Sequence, residues 1–271
     1  MIKAVFFDLD GTLLNSKKEL SSKTKSVLVK CRESGIKLFV ATARPPILGR
    51  SLCWDDSVLS LFDGGSYYNG GCVVMGNEKH YTPISTDIVK KCIDEVTLYK
   101  GVNIALQLEN EKHAFRYPLK DEDYMSWGLS AEEALTLDQI NDMQTIKILV
   151  FYANLIDSVT PIDRGLVDSL EKLCIDTARF YLTDKGKCVQ IMARSVNKLG
   201  SITSIMSVLG LTKNEIISFG DDINDIEMLR EGGIGVAVAN AADEVKAVAD
   251  HICDTNDNDG VARWLEGMLN V

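Results

Sequence analysis

"AVFFDLDGTLL", residues 4–14, is the stretch on which the fold turns: an unbroken apolar run that delivers Asp8 and Asp10 to one point, followed by Gly11 and Thr12. An apolar run without alternation suits a strand buried on both faces, as in a parallel sheet. An unpaired carboxylate at the edge of a dry core costs on the order of several kcal/mol. The pair therefore implies a metal, a cation or chemistry.

The flanking sequence repeats the pattern. Residues 2–8 read as a strand, 21–34 as a helix with apolar Val27, Leu28 and Cys31, and "IKLFVA" at 36–41 as a second strand. A strand, a helix and a strand at this spacing form a right-handed βαβ unit. Towards the C-terminus a helix at 197–209, the strand "EIISF" at 215–219, a helix at 223–230 and short strands in "GIGVAVA" (233–239) and "HIC" (251–253) continue the same α/β style. Both ends thus belong to one doubly wound domain, spanning 1–84 and 188–271.

The middle differs. Helices are expected at 85–99 and 161–173, and strands at 102–109, 113–117, 145–152 and 178–183. Several alternate, as in "NIALQLEN" and "TARFYL", which predicts a sheet with one covered face and one wet face. An acidic stretch at 119–143 has no clear period. The pattern predicts an inserted α+β domain over 85–187, entered near Pro83 and left through a hinge at "TDKGK", 183–187.

Composition limits the function. The chain has 271 residues, a net charge of -10 and 46% hydrophobic residues. That charge argues against a nucleic-acid partner, whose sites need a basic face. No apolar stretch is long enough to span a membrane, and the N-terminus enters an acidic motif where a signal peptide would carry a cleavage site, so the expected location is the cytoplasm. Seven cysteines without a CxxC pair read as reduced packing residues, and His80, His113 and His251 stand apart from any nucleophile motif.

In an open parallel sheet ligands bind at the carboxyl ends of the strands. There the first strand supplies Asp8, Asp10, Gly11 and Thr12, the second Thr42, Ala43 and Arg44, and "IISF" supplies Gly220, Asp221, Asp222, Asn224 and Asp225. Lys198 opens the helix leading into that last strand. Carboxylates from two strand ends suit Mg²⁺, which takes hard oxygen ligands and keeps positions for water and phosphate. A hydroxyl, backbone amides and a lysine around it make a phosphate cradle. Asp8 is then available to attack phosphorus, and Asp10 to give a proton to the leaving oxygen and take one from water. An ordinary Asp-Gly turn would leave the second acidic cluster unexplained. Asp222 either supports the site or caps the next helix; Arg44 either reaches substrate or pairs with a core acid.

"DLDGT" at 8–12, "ATAR" at 41–44, Lys198 and "GDDINDIEML" at 220–229 resemble, in order, the four motifs of the haloacid dehalogenase (HAD) superfamily. The last resembles the GDxxNDxxML form of the Cof-type subfamily (HAD-IIB), mostly sugar-phosphate phosphatases. The resemblance implies a Rossmann-like α/β core with an inserted α+β cap of the C2B type that selects the substrate. It further implies Asp8 as the nucleophile that becomes an aspartyl phosphate and Asp10 as general acid/base. Mg²⁺ would be held by the Asp8 carboxylate, the Asp10 carbonyl and Asp221, with Asp225 supporting. Leu9, Thr42, Ala43 through its amide, Lys198 and Asn224 would bind the phosphoryl group, and Arg44 is a further candidate for contact with the substrate.

The expected activity is Mg²⁺-dependent hydrolysis of a small-molecule phosphate ester, most simply a sugar phosphate. A phosphomutase or phosphotransferase on the same core, and a phosphatase for pyridoxal phosphate or flavin mononucleotide, are the alternatives. A signalling receiver domain also surrounds a phosphorylated aspartate with acids, a threonine and a lysine, but would be about half this length and lack the insertion. Within the insertion, Glu109, His113 and Arg116 are candidate polar contacts.

Overall fold

A computed structural model describes residues 1–153 and 160–269. The chain forms two compact units, one of residues 1–44, 52–80 and 197–271, the other of residues 45–51 and 81–196.

In the first unit β1 (Ala4–Phe7) is buried at every position, and the helix α1 (Ser22–Glu33) returns the chain to β2 (Lys37–Ala41), which pairs with β1 in parallel. Ser21 caps α1 by accepting from Thr24 N, and Val27, Leu28 and Cys31 form its buried stripe. The short helix α2 (Leu48–Ser51) belongs to the second unit; in the first, α3 (Asp56–Leu59) precedes β3 (Gly64–Tyr67), β4 (Cys72–Met75) and β5 (Glu78–Tyr81).

The second unit follows with α4 (Thr86–Thr97), β6 (Val102–Leu108), β7 (His113–Phe115), β8 (Leu135–Thr136), β9 (Thr145–Tyr152), α5 (Arg164–Cys174), β10 (Ala178–Thr183) and β11 (Cys188–Ala193). The chain then re-enters the first unit through α6 (Lys198–Leu209), β12 (Ile216–Gly220), α7 (Ile226–Glu231), β13 (Ile234–Val238), α8 (Asp243–Lys246), β14 (His251–Cys253) and α9 (Gly260–Leu269).

The first unit's sheet has the order β14-β13-β12-β1-β2-β3-β4-β5. From β14 to β3 every pairing is parallel, and β4 turns back antiparallel. The register sets Phe7 beside Val40 on one side and beside Phe219 on the other, so the residues after all three strands emerge at one edge. The chain returns to its starting sheet only after the second unit is complete, which makes β12 and β1 neighbours although more than two hundred positions separate them.

The second unit's sheet has the order β10-β11-β9-β6-β7-β8 and is antiparallel except at β7–β8. Ile104, Leu106, Ile148, Val150 and Ile191 on one face pack against Ile88, Cys92, Val96, Leu166 and Leu170 of α4 and α5. The other face is not wet, contrary to the alternating pattern. Asn103, Gln107 and Lys147 on it are buried, and Phe115 and Phe151 pack with Tyr124 and Leu129. Those last two residues come from the stretch 119–143, which settles into 3₁₀ turns and the two-residue β8.

"TDKGK" is not the exit hinge. Thr183 pairs with Cys188, so 184–187 form the turn of the β10–β11 hairpin, and β11 also pairs with β9. Backbone pairing therefore holds the chain in this unit through Ala193, and it leaves after Val196. Cys53 is exposed and Cys188 half-buried; the other five cysteines pack in the interior.

Candidate active site

β1 ends in a buried salt-bridge network. Lys198 Nζ, 1% exposed, donates to Asp8 Oδ1 at 2.6 Å and to Asp225 Oδ1 at 2.6 Å. Lys198 starts α6, whose N-cap Asn197 has an extended backbone and accepts from Gly200 N. Asp225 is held from its other oxygen, which accepts from Asp221 N and Asp222 N. Burial raises the Asp8 carboxyl, and the neighbouring Asp225 and Asp221 add to this while Lys198 opposes it. Burial works against the Lys198 ammonium, but Asp225 and Asp8 outweigh it and raise Lys198 above its ordinary value.

Asp221 completes the acidic group. Thr12 Oγ1 donates to Asp221 Oδ1 at 2.6 Å. Gly11, with φ +88°, passes so close that a Cβ there would lie 2.5 Å from Asp221 Oδ2. Burial, then Asp225, push Asp221 up to about 7. Asp8, Asp221 and Asp225 each bring a carboxylate oxygen within 4.8 Å of the others. Asp225 has both oxygens engaged, whereas Asp8 Oδ2 and Asp221 Oδ2 accept no hydrogen bond among the described residues. Three crowded carboxylates against one ammonium leave an excess of negative charge, and two uncommitted hard oxygens fit a divalent cation such as Mg²⁺.

Asp10 points into a different set of partners. Arg44 grips it from two nitrogens, Nε to Oδ2 at 2.6 Å and a terminal nitrogen to Oδ1 at 2.7 Å, and Lys18 Nζ lies 3.0 Å from Oδ1. Burial alone would raise this carboxyl, but the guanidinium and the ammonium hold it at about 2. Of the two partners open to Arg44, the structure therefore has it on a core acid.

Thr42 is buried at the end of β2 and accepts from Arg44 N through its hydroxyl, with Ala43 between them. The next helix, α2, starts only at Leu48. Leu9 has its side chain fully in the core, so only its main chain is open to a ligand. Asp222 caps the following turn, its carboxylate accepting from Ile223 N. Asn224 is buried and donates from Nδ2 to Asn69 Oδ1 at 2.9 Å. The first unit thus brings Asp8, Asp221, Asp225 and Lys198 into one hydrogen-bonded cluster. Asp10 and Arg44 form a second pair on the same β1 and β2 ends.

Two neighbours of these groups escaped the sequence reading, Lys18 on Asp10 and Asn69 on Asn224, and neither carried a sequence signal. Thr12, read at the end of the first strand, is the donor to Asp221. In the second unit Arg116 is spent on structure, donating to the carbonyls of Val96, Tyr99, Val102 and Thr97. His113 is fully buried beside Phe115 and Trp127, and neither ring nitrogen has a hydrogen-bond partner among the described residues. Burial, helped by Arg50, lowers it to about 4. Glu109 accepts from Gln144 N at the sheet's rim.

Comparison with known proteins places the chain in a family. Residues 5–265 match the family model of the haloacid dehalogenase-like hydrolases. A 5-amino-6-(5-phospho-D-ribitylamino)uracil phosphatase of Bacillus subtilis, YitU, is 26% identical, with 98% of this chain and 97% of that protein aligned. The solved structure of the HAD subclass IIB sugar phosphatase BT4131 superposes with a TM-score of 0.80 at 25% identity, covering 99% of this chain and 100% of that one. A haloacid dehalogenase-like hydrolase from Bacteroides thetaiotaomicron gives 0.78 at 26% identity, covering 99% and 100%. Among the described residues no helix is long and apolar enough to cross a membrane.

Proposed function

Because the chain belongs to the haloacid dehalogenase-like hydrolase family and is a phosphatase, we propose that it hydrolyses a phosphomonoester carried on a sugar or sugar-alcohol chain, with Mg²⁺ as its metal. The observation that carries this reading is the Asp8–Lys198–Asp225 network, with one oxygen of Asp8 and one of Asp221 left uncommitted. The names of the relatives support the substrate class: one acts on a phosphorylated ribityl chain, another on sugar phosphates.

In this reading Asp8, the Asp10 carbonyl and Asp221 hold the cation, and Asp225 fixes Asp221 through its backbone amide. When bound, Mg²⁺ supplies positive charge to the phosphoryl oxygens and offsets the carboxylates. Asp8 attacks phosphorus, forming an Oδ–P bond as the bond to the ester oxygen breaks. The departing oxygen takes its proton from Asp10. Asp10 then takes a proton from the water that attacks the aspartyl phosphate, which releases inorganic phosphate and restores Asp8. Lys198, Thr42, Asn224 and the amides of Leu9 and Ala43 hold the transferring group.

The two-point pair with Arg44 favours the ionised form of Asp10. Release of Asp10 by the guanidinium would favour its protonated form, and the substrate phosphate is an anion that would compete for Arg44. The inserted unit selects the leaving group, and the seven cysteines, all free, fit a reducing cytoplasm.

Phosphate release from hexose, pentose and sugar-alcohol phosphates, pyridoxal phosphate and flavin mononucleotide, with Mg²⁺ or with EDTA, tests the proposal. Release that needs Mg²⁺ and favours one polyol phosphate supports it. An isomeric sugar phosphate in place of free phosphate would mark a mutase.

A further inference from the structure

Between β3 and β4 the backbone takes an unusual path. Tyr68, Asn69 and Gly70 have φ values of +52°, +57° and +106°, three left-handed residues in succession. Only glycine, and to a lesser degree asparagine, enters that region without strain. The turn is nonetheless buried at Tyr68 and Asn69. Its contacts explain what holds it there. Tyr68 N donates to Arg44 O at 3.0 Å and Asn69 N to Thr42 O at 2.9 Å, so the segment after β2 is fixed by the segment after β3. Gly70 approaches the start of α6 so closely that a Cβ would stand 2.3 Å from Asn197 O, one residue before Lys198. Asn69 Oδ1 accepts from Asn224 Nδ2 at 2.9 Å. One turn thus touches the backbones that carry Thr42 and Arg44, the helix that carries Lys198, and the side chain of Asn224.

We propose that Asn69 is a positioning residue for phosphoryl recognition, its side-chain carbonyl holding the Asn224 amide so that the second Nδ2 hydrogen is directed to a phosphoryl oxygen. This rests on the phosphatase reading given above. The physical need is specific: the terminal torsion of asparagine is broad and two-fold, so a buried amide with no fixed partner presents its nitrogen or its oxygen. Its oxygen would repel a phosphate. An acceptor on Asn69 selects the nitrogen-inward state before the ligand arrives, and the left-handed backbone is what brings that acceptor to the right place.

The test is a double-mutant cycle of Asn69→Gly and Asn224→Ala. Glycine keeps the left-handed backbone and removes the side-chain acceptor. The readouts are the Kd for inorganic phosphate in Mg²⁺, kcat and KM for p-nitrophenyl phosphate, and Tm. Asn69→Gly is expected to weaken phosphate binding and to lower kcat/KM by about tenfold. In the Asn224→Ala background the same change should cost less than about twofold, since the two act as one unit. Wild-type phosphate affinity in Asn69→Gly, or an undiminished tenfold loss in the Asn224→Ala background, overturns the inference. An Asn224→Ala protein that binds phosphate like wild type refutes the role of Asn224 in the function itself, a separate failure. The unsubstituted protein gives a reading that no unfolded variant can obscure: one of the two Asn224 side-chain amide protons should exchange at least about tenfold more slowly than the other. Equal, fast exchange of both contradicts the hydrogen bond.

Discussion

Arg44 and Asp10 form a two-point ion pair, with nitrogen–oxygen distances of 2.6 and 2.7 Å. The residue assigned to proton transfer is thereby kept ionised, at about 2 against an ordinary 3.8. A lowered carboxyl stabilises the fold above its unfolded value and loses that contribution as the pH falls toward 2. Arg44→Ala should raise Asp10, because burial remains and Lys18 alone is left to oppose it. A ¹³C carboxyl titration reads this directly: Asp10 should move upward from about 2. An Asp10 that still titrates near 2 in the variant would show that Arg44 is not what holds it.

Asp221 offers an uncommitted oxygen beside Asp8, and Thr12 orients it at 2.6 Å. Loss of a residue that merely orients a metal ligand costs about 10–100-fold in affinity. Thr12→Val should raise the Mg²⁺ concentration for half-maximal activity within that range, and Asp221→Asn by at least as much. A magnesium titration of each variant that overlays the wild type would remove the pair from the metal site.

Gly11→Ala should be harmful for two reasons at once, a φ of +88° and a Cβ 2.5 Å from Asp221 Oδ2. Strain of this kind costs about 1–3 kcal/mol. Urea unfolding should show a loss in that range together with a raised Mg²⁺ requirement. Unchanged stability and metal response would mean that the loop relaxes freely around the methyl group.

His113 makes the stability of the second unit sensitive to pH. Its ring is buried, lacks hydrogen-bond partners among the described residues and is lowered to about 4 from 6.5. Between those values the unfolded chain takes up a proton that the folded chain refuses, so stability falls as the pH drops from about 6.5 to about 4 and levels off below. From pH 7 to pH 5 this amounts to about 2 kcal/mol. His113→Phe should abolish that part of the slope and cost little at pH 7, since it also removes two unsatisfied nitrogens. Parallel urea curves at pH 7 and pH 5 decide it; equal slopes in both proteins would show that His113 is protonated within the fold.

How much of this was legible in the sequence depended on whether the signal was local. β1, β2 and β12 are unbroken apolar runs because both faces are buried, and each delivers its motif at its carboxyl end, so core and acidic cluster could be read together. β3 could not be read as a strand. Its Gly64 and Gly65 pass where a Cβ would press on Val74 and Val40, and a glycine pair reads as loop. The β11 boundary was missed because a Lys-Gly turn looks the same in a hairpin and in a hinge. The partner of Arg44 and the role of Asn69 lie in contacts made across the sheet edge, and no spacing along the chain records them.

The most direct measurement asks where the phosphoryl group goes. The Asp10→Asn protein, turned over in Mg²⁺ with a substrate from the panel, acid-quenched and mapped by peptide mass, should carry a phosphoryl group on Asp8. Asp8→Asn should carry none and release no phosphate, while Lys198 keeps Asp225 as a partner and the fold survives. Phosphoryl label on another residue, or turnover by Asp8→Asn above a few per cent of wild type, would contradict the account.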